Sequence, residues 1–238
     1  MVQMTSLIGF DQIGQMIETE RLIFSFFIMD YTHLELFPTP LIILKVDEDT
    51  DDLKSCDNYK FNSQNVDDAQ YFERNDGKRI LEEYPKIRDI LLDKFKFIAR
   101  DYMQYRDKDY IITTSWLTNT TKHTSSSTHK HQNSFWSGVY YYQDDYPLNT
   151  APITFHNPIQ EISSFNYADD DIETYNFKNT NKFLVKPESK TLLLFPSYLY
   201  HQIMKHDINT NRLSLAFNIM PNCEFGSMDS YFDPRWFH

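Results

Sequence analysis

Arg212-Leu213-Ser214-Leu215-Ala216-Phe217-Asn218-Ile219 alternates without a break. Arg212, Ser214, Ala216 and Asn218 make one face polar or small, while Leu213, Leu215, Phe217 and Ile219 make the other wholly apolar. A period of two belongs to a strand, because successive side chains point to opposite sides of the pleat. The apolar face should pack on helices or an outer layer, and the polar face should look into a barrel. An arginine pointing inward there needs an anionic partner, since a buried unpaired charge costs several kcal/mol. No acidic residue lies nearby on the neighbouring expected strands. A carboxylate ligand would satisfy it, and the planar guanidinium fork can hold such a group at two points. Ser214, two residues on along the same face, could add a hydroxyl donor to the same carboxylate.

Outward from this strand the same period persists back to Tyr110. Residues 111–118, 135–142, 153–155, 181–185, 192–195 and 201–204 read as further strands, punctuated by Pro, Asn and Asp clusters. Residues 122–128 form a Ser/Thr-rich loop and 157–178 a long acidic insertion. Before Tyr110 the period changes. Ile80, Leu81, Tyr84, Ile87, Ile90, Leu91, Phe95 and Ile98 recur at threes and fours, which predicts helical support over about 67–107. Pro85 suits the first turn of a helix, so two helices divided near Glu83 are expected. The fold class that follows is mainly β with flanking α: a double-stranded β-helix (a cupin-like jelly roll) over about 110–221, packed against N-terminal helices. A strand is also expected from Leu36 to Val46. Residues 9–20 are weakly helical in pattern and 22–28 apolar without a clear period. These predict an N-terminal appendage over 1–28 and a single main domain over 29–238; an ordinary helix packed on that domain is the other reading.

A chain of 238 residues can bury a proper core as one elaborated domain. Cys56 and Cys223 are far apart and form no CxxC, which argues against a disulfide framework and a zinc ribbon and fits a reducing cytoplasm, or a host cytoplasm if the protein is viral. A net charge of −11 weighs against nucleic acid, because phosphate contacts need an excess of Lys and Arg, and mildly favours a small molecule or a basic peptide as substrate. No apolar run is long enough to suggest a membrane span. The sequence is silent on oligomeric state.

His129 and His131 share a face if locally extended, so both can point at one ion. His201 opens the penultimate strand, beside the last one in a jelly roll. Imidazole suits Fe(II), and a facial set of three ligands leaves positions for a bidentate 2-oxo acid and O2. Each residue alone has an ordinary reading: His-x-His as a surface pair, His201 as a packed core histidine, Arg212 as half of a structural ion pair. Their joint order and spacing marks the set. His33, His123, His156, His206 and His238 have no supporting pattern and read as solvated or packing residues.

At these residues the chain resembles the Fe(II)- and 2-oxoglutarate-dependent oxygenases, and more narrowly an oxygenase group common in marine phages and bacteria. The motifs carrying the likeness are FPTP at Phe37–Pro40, HxHxNSxxSGVYY at His129–Tyr141, FPSxxxH at Phe195–His201 and RxSxxFN at Arg212–Asn218. It covers about residues 36–221, and Ser115-Trp116-Leu117 matches the strand that precedes the first ligand. The resemblance implies a dioxygenase using Fe(II), 2-oxoglutarate and O2, hydroxylating a substrate with release of succinate and CO2. It implies His129, His131 and His201 as catalytic metal ligands. It also implies Arg212 and Ser214 at the distal carboxylate of 2-oxoglutarate, with Tyr141 beside them and Tyr140 as the fallback. One position departs from the superfamily, where the second residue of the first motif is Asp or Glu and here is His131. A neutral ligand leaves one more positive charge on the iron; alternatively His131 stands behind the metal with water in its place. Two other readings remain open from the residues: a three-histidine cupin-type dioxygenase without 2-oxoglutarate, and a non-catalytic jelly-roll binding or virion protein.

Overall fold

The structure, a computed structural model, describes residues 18–24, 27–33, 38–59, 61, 70–71, 79–106, 108–159, 173–174, 176 and 179–234. The chain divides into two units, residues 1–39 and 40–238. In the first, β1 (Glu18–Phe24) and β2 (Phe27–His33) form an antiparallel hairpin with Phe24 opposite Phe27. Glu18, Thr19 and Glu20, expected at the end of a weak helix, are therefore strand, and residues 9–17 of that helix lie outside the described residues. Met29, the expected start of the main domain, lies within β2.

The second unit contains β3 (Ile42–Lys45), β4 (Gln70–Tyr71), helix α1 (Pro85–Phe97), β5 (Tyr110–Thr120), β6 (Trp136–Tyr141) and β7 (Ile153–His156). It continues with β8 (Lys182–Val185), β9 (Thr191–Pro196), β10 (His201–Ile203) and β11 (Arg212–Pro221). The strands build two antiparallel sheets, one in the order β3-β9-β6-β11-β5-β4 and one in the order β10-β7-β8. The smaller sheet gains a further edge where His129 and His201 exchange backbone hydrogen bonds of 2.9 and 2.8 Å. Val139, Tyr141, Leu193, Phe195 and Ala216 of the larger sheet meet Ile153, Phe155 and Val185 of the smaller one in a core between the layers. This is the jelly-roll arrangement that the alternation predicts.

The apolar face of β11 behaves as expected. Leu213, Leu215, Phe217 and Ile219 pack in a second core with Ile87, Leu91 and Phe95 of α1. The Phe95 ring meets Tyr110 edge-on at 5.0 Å. β11 lies between β5 and β6, so its polar face is covered by the small sheet and its apolar face by the helix.

The helical support is smaller than its pattern suggests. Among the described residues there is one α-helix, α1, preceded by a tight turn at Ile80–Glu82 and followed by a wide turn at Ile98–Tyr102. Gln70 and Tyr71 form β4 at the sheet edge instead of helix, and residues 67–69 and 72–78 lie outside the described residues. Proline disfavours helical geometry in the residue before it, and Tyr84 accordingly sits at φ −124°, ψ 63°. Ile80 and Leu81 are buried without being α-helical, because the Leu81 N–H is held by the Ser115 hydroxyl at 2.9 Å. Of the 157–178 insertion, residues 160–172, 175 and 177–178 lie outside the described residues, as does Phe37 of the FPTP motif. No helix among the described residues is long and apolar enough to cross a membrane.

Candidate metal centre

His201 is the first residue of β10, and His129 is its cross-strand partner on the extended segment beside it. His131 lies two residues on along the same face, with its N–H donated to the Ser197 carbonyl at 2.9 Å. The ring centroids are 4.4 Å apart for His129 and His201, 5.1 Å for His131 and His201, and 5.4 Å for His129 and His131. One nitrogen from each lies within 4.8 Å of the others.

The other nitrogen of each ring is already engaged. His129 Nδ1 is 2.8 Å from the Ser127 carbonyl, and His201 Nδ1 is 2.9 Å from the Leu199 carbonyl. A carbonyl oxygen can only accept, so Nδ1 carries the proton in both and Nε2 carries the lone pair. His131 Nδ1 faces Asn218 Oδ1 at 2.6 Å and Ser137 Oγ at 2.9 Å. His201 is 4% exposed. Burial, with His129 beside it, pushes its pKa down to about 3, so it is held as the neutral imidazole that a metal requires. Three imidazoles, each steadied through Nδ1, fit a divalent first-row metal ion.

The second half of the site is built around Arg212, which is 0% exposed. Its Nε donates to the Ala151 carbonyl at 3.0 Å and a terminal nitrogen to the Tyr141 hydroxyl at 2.8 Å. The other terminal nitrogen lies 3.4 Å from Ser214 Oγ. No carboxylate pairs with it among the described residues. Burial pushes the Tyr141 phenol up despite the adjacent guanidinium, so the hydroxyl keeps its proton. Tyr140, the fallback, points to the opposite face and bonds Thr50 Oγ1 at 2.7 Å.

All six sequence-derived site residues thus fall into two clusters, His129, His131 and His201 in one and Tyr141, Arg212 and Ser214 in the other. Several supporting residues escaped sequence reasoning. His206, expected to be solvated or to pack without a role, is fully buried. Its Nε2–H donates to the Thr210 carbonyl at 2.6 Å, and its Nδ1 accepts the Ala151 N–H at 3.2 Å, so it braces the peptide that holds Arg212. Asn218 and Ser137 stand behind His131, and the Trp116 ring packs edge-on to it at 5.4 Å. Asn218 and Ser137 are both within quoted motifs, yet only the register of β11 against β6, where they are partners, shows what they face.

Comparison with known proteins agrees with this geometry. Residues 114–218 match the family model described as "Putative 2OG-Fe(II) oxygenase". No curated protein matches the chain in sequence. Among solved structures, the fold is similar to a 2OG-Fe(II) oxygenase family oxidoreductase from Burkholderia pseudomallei (TM-score 0.50, 16% identity, covering 75% of this chain and 83% of that one). It is also similar to HygX from Streptomyces hygroscopicus with nickel and 2-oxoglutarate bound (TM-score 0.50, 12% identity, 77% and 83% covered). A third is SnoK, a non-heme alpha-ketoglutarate-dependent carbocyclase from nogalamycin biosynthesis (TM-score 0.53, 9% identity, 78% and 81% covered). Residues 114–218 thus resemble the 2OG-Fe(II) oxygenase family in sequence, and the fold is similar to that of solved 2-oxoglutarate-dependent enzymes.

Proposed function

We propose that this protein is an Fe(II)- and 2-oxoglutarate-dependent dioxygenase. In this reading His129, His131 and His201 hold the iron, and Arg212, Tyr141 and Ser214 hold the distal carboxylate of 2-oxoglutarate. The observation that carries it is Arg212, fully buried with no carboxylate partner among the described residues. A buried guanidinium is expensive unless an anion meets it, and a diacid supplies that anion.

When bound, the iron supplies the centre at which O2 converts 2-oxoglutarate to succinate and CO2, coupled to hydroxylation of the substrate. The chain's own residues arrange that chemistry. Their Nδ1 contacts orient the three imidazoles before any ligand arrives, so little reordering is needed on binding. Tyr141 accepts from Arg212, which leaves its own O–H to donate toward a carboxylate, and Ser214 can do the same. Phe155 and Phe195 crowd the His201 ring at 6.0 and 4.9 Å and exclude water from that side. The substrate this reading favours is a small molecule or a basic peptide segment, with residues 122–128 and 157–178 as the specificity elements.

His131 gives some support to a three-histidine dioxygenase that uses no 2-oxo acid, since it stands where a carboxylate would otherwise be. Arg212 weighs against that reading. Anaerobic Fe(II) titration with and without 2-oxoglutarate separates them. A visible charge-transfer band that needs both Fe(II) and 2-oxoglutarate is expected; an Fe(II) complex indifferent to 2-oxoglutarate would favour the three-histidine dioxygenase.

A further inference from the structure

His129 and His201 take their Nδ1 acceptors from carbonyls two residues earlier in their own segments, whereas His131 takes its acceptor from a side chain 87 residues away. We propose that Asn218 is a positioning residue that fixes the orientation and tautomer of His131 and so makes it the third metal ligand. The inference rests on the oxygenase reading and assigns a role within its metal site.

The amide of Asn218 is held from both ends. Its Nδ2 donates to Thr114 Oγ1 at 2.9 Å, which turns Oδ1 toward His131. Oδ1 then lies 2.6 Å from His131 Nδ1 and accepts the Ser137 hydroxyl at 2.9 Å. An amide oxygen can only accept, so the proton of His131 sits on Nδ1 and the ring offers Nε2 to the cluster. Ser137 is itself bonded to Ser197 at 2.8 Å, and the Ser197 carbonyl takes the His131 backbone N–H at 2.9 Å. Ring and backbone of His131 are therefore anchored on one group of neighbours.

The pairing of β11 with β5 is irregular at the same point, where β5 carries one extra residue, Thr113, between the partners of Asn218 and Ile219. This is the only such shift between described strands of the larger sheet. An extra residue in one strand re-aims the side chain next to it. The chemistry of the acceptor also matters. A carboxylate in this place would draw the Nδ1 proton toward itself and make the imidazole more basic, whereas the neutral amide orients the ring without adding charge. The three-imidazole centre thus keeps its full positive charge while its third ligand is still locked.

The test is Ni(II) titration of the full chain by calorimetry without 2-oxoglutarate, on the parent and on Asn218→Leu, Asn218→Asp, Thr114→Val and His131→Ala. Asn218→Leu is expected to weaken Ni(II) binding by about 10–100-fold, the usual range for removing such a partner. Asn218→Asp should bind at least as tightly as the parent, a rescue that mere packing would not give. Thr114→Val should weaken binding by less than Asn218→Leu. In the His131→Ala background, Asn218→Leu should have no further effect. Nitrogen-15 spectra of the metal-free protein should show His131 protonated on Nδ1 in the parent and on a mixture of nitrogens in Asn218→Leu. Equal Ni(II) affinity in Asn218→Leu and the parent overturns the inference, as does an undiminished effect of Asn218→Leu in the His131→Ala background. If Asn218→Leu does not fold, weaker binding by Asn218→Asp than by the parent overturns it instead. A parent that binds neither Ni(II) nor Fe(II) overturns the oxygenase reading and this inference together; a parent that binds while Asn218 proves indifferent overturns this inference alone.

Discussion

Arg212 donates to the Tyr141 hydroxyl at 2.8 Å across the seam between β11 and β6, and its guanidinium carbon lies 5.1 Å from the centre of the same ring. Tyrosine thus serves as both acceptor and electron-rich wall for a charge that has no carboxylate beside it among the described residues. Backbone and hydroxyl partners orient the fork but do not neutralise it, so the pocket is poised for an anion.

Arg212→Ala should therefore abolish 2-oxoglutarate binding while Ni(II) binding survives, as read by calorimetry on the same protein. Arg212→Lys keeps the charge but loses the fork and should bind with intermediate affinity. Ser214→Ala should cost about 1 kcal/mol of 2-oxoglutarate binding, the usual worth of one hydrogen bond. If Arg212→Ala binds 2-oxoglutarate as the parent does, the distal-carboxylate assignment is wrong and the three-histidine dioxygenase becomes the better account.

His206 reaches the same pocket through one peptide. It accepts the Ala151 N–H, and the Ala151 carbonyl accepts Arg212 Nε. His206→Leu leaves that buried N–H unmet, at a cost of about 1–3 kcal/mol in stability. It should also weaken 2-oxoglutarate without moving Ni(II) affinity, because neither side-chain hydrogen bond of His206 goes to a metal ligand. Parallel calorimetric titrations would check this, and equal loss of both ligands would mean that His206 supports the fold as a whole.

Gly138 in the SGVYY motif faces Phe217 across β6 and β11, and a Cβ there would overlap the Phe217 ring. Gly138→Ala should destabilise the protein by about 1–3 kcal/mol, the usual cost of overfilling a packed core. Adding Phe217→Leu should recover part of it. Urea unfolding midpoints give the measurement; an unchanged midpoint in Gly138→Ala would show that β6 and β11 can part at this point without cost.

Much of this was legible because β11 alternates so strictly. Arg212, Ser214 and Asn218 on one face and Leu213, Leu215 and Phe217 on the other required two covering layers, and both are present. The three histidines and Arg212 were legible by type and order. What the sequence hid is of two kinds. The period places a first helix ahead of the break near Glu83, although a tertiary bond from Ser115 decides the conformation of Ile80 and Leu81; the second helix starts at Pro85, as that residue predicts. The supports of the site, Asn218 behind His131 and His206 behind Ala151, act through contacts 87 and 55 residues long, which no local period records.

Acidification should expose the burial of His201. Its pKa falls from the ordinary 6.5 to about 3 because burial disfavours the charged ring, with His129 adding to the effect. Between those two values the unfolded chain holds a proton that the native state does not, so stability is fully present above pH 6.5 and declines as pH falls toward 3. The slope from this one group is up to about 1.4 kcal/mol per pH unit. Lowered carboxyl pKa values at Asp49 and Asp101 act in the same direction, but only near and below the ordinary carboxylate range. The interval from about pH 6.5 to 5 therefore isolates the histidine, and the metal-free parent should lose about 2 kcal/mol more there than His201→Gln. Urea unfolding in the presence of a chelator at both pH values measures the difference. Equal losses in the two proteins would show that His201 titrates freely in the fold, and that burial does not hold it as the neutral ligand.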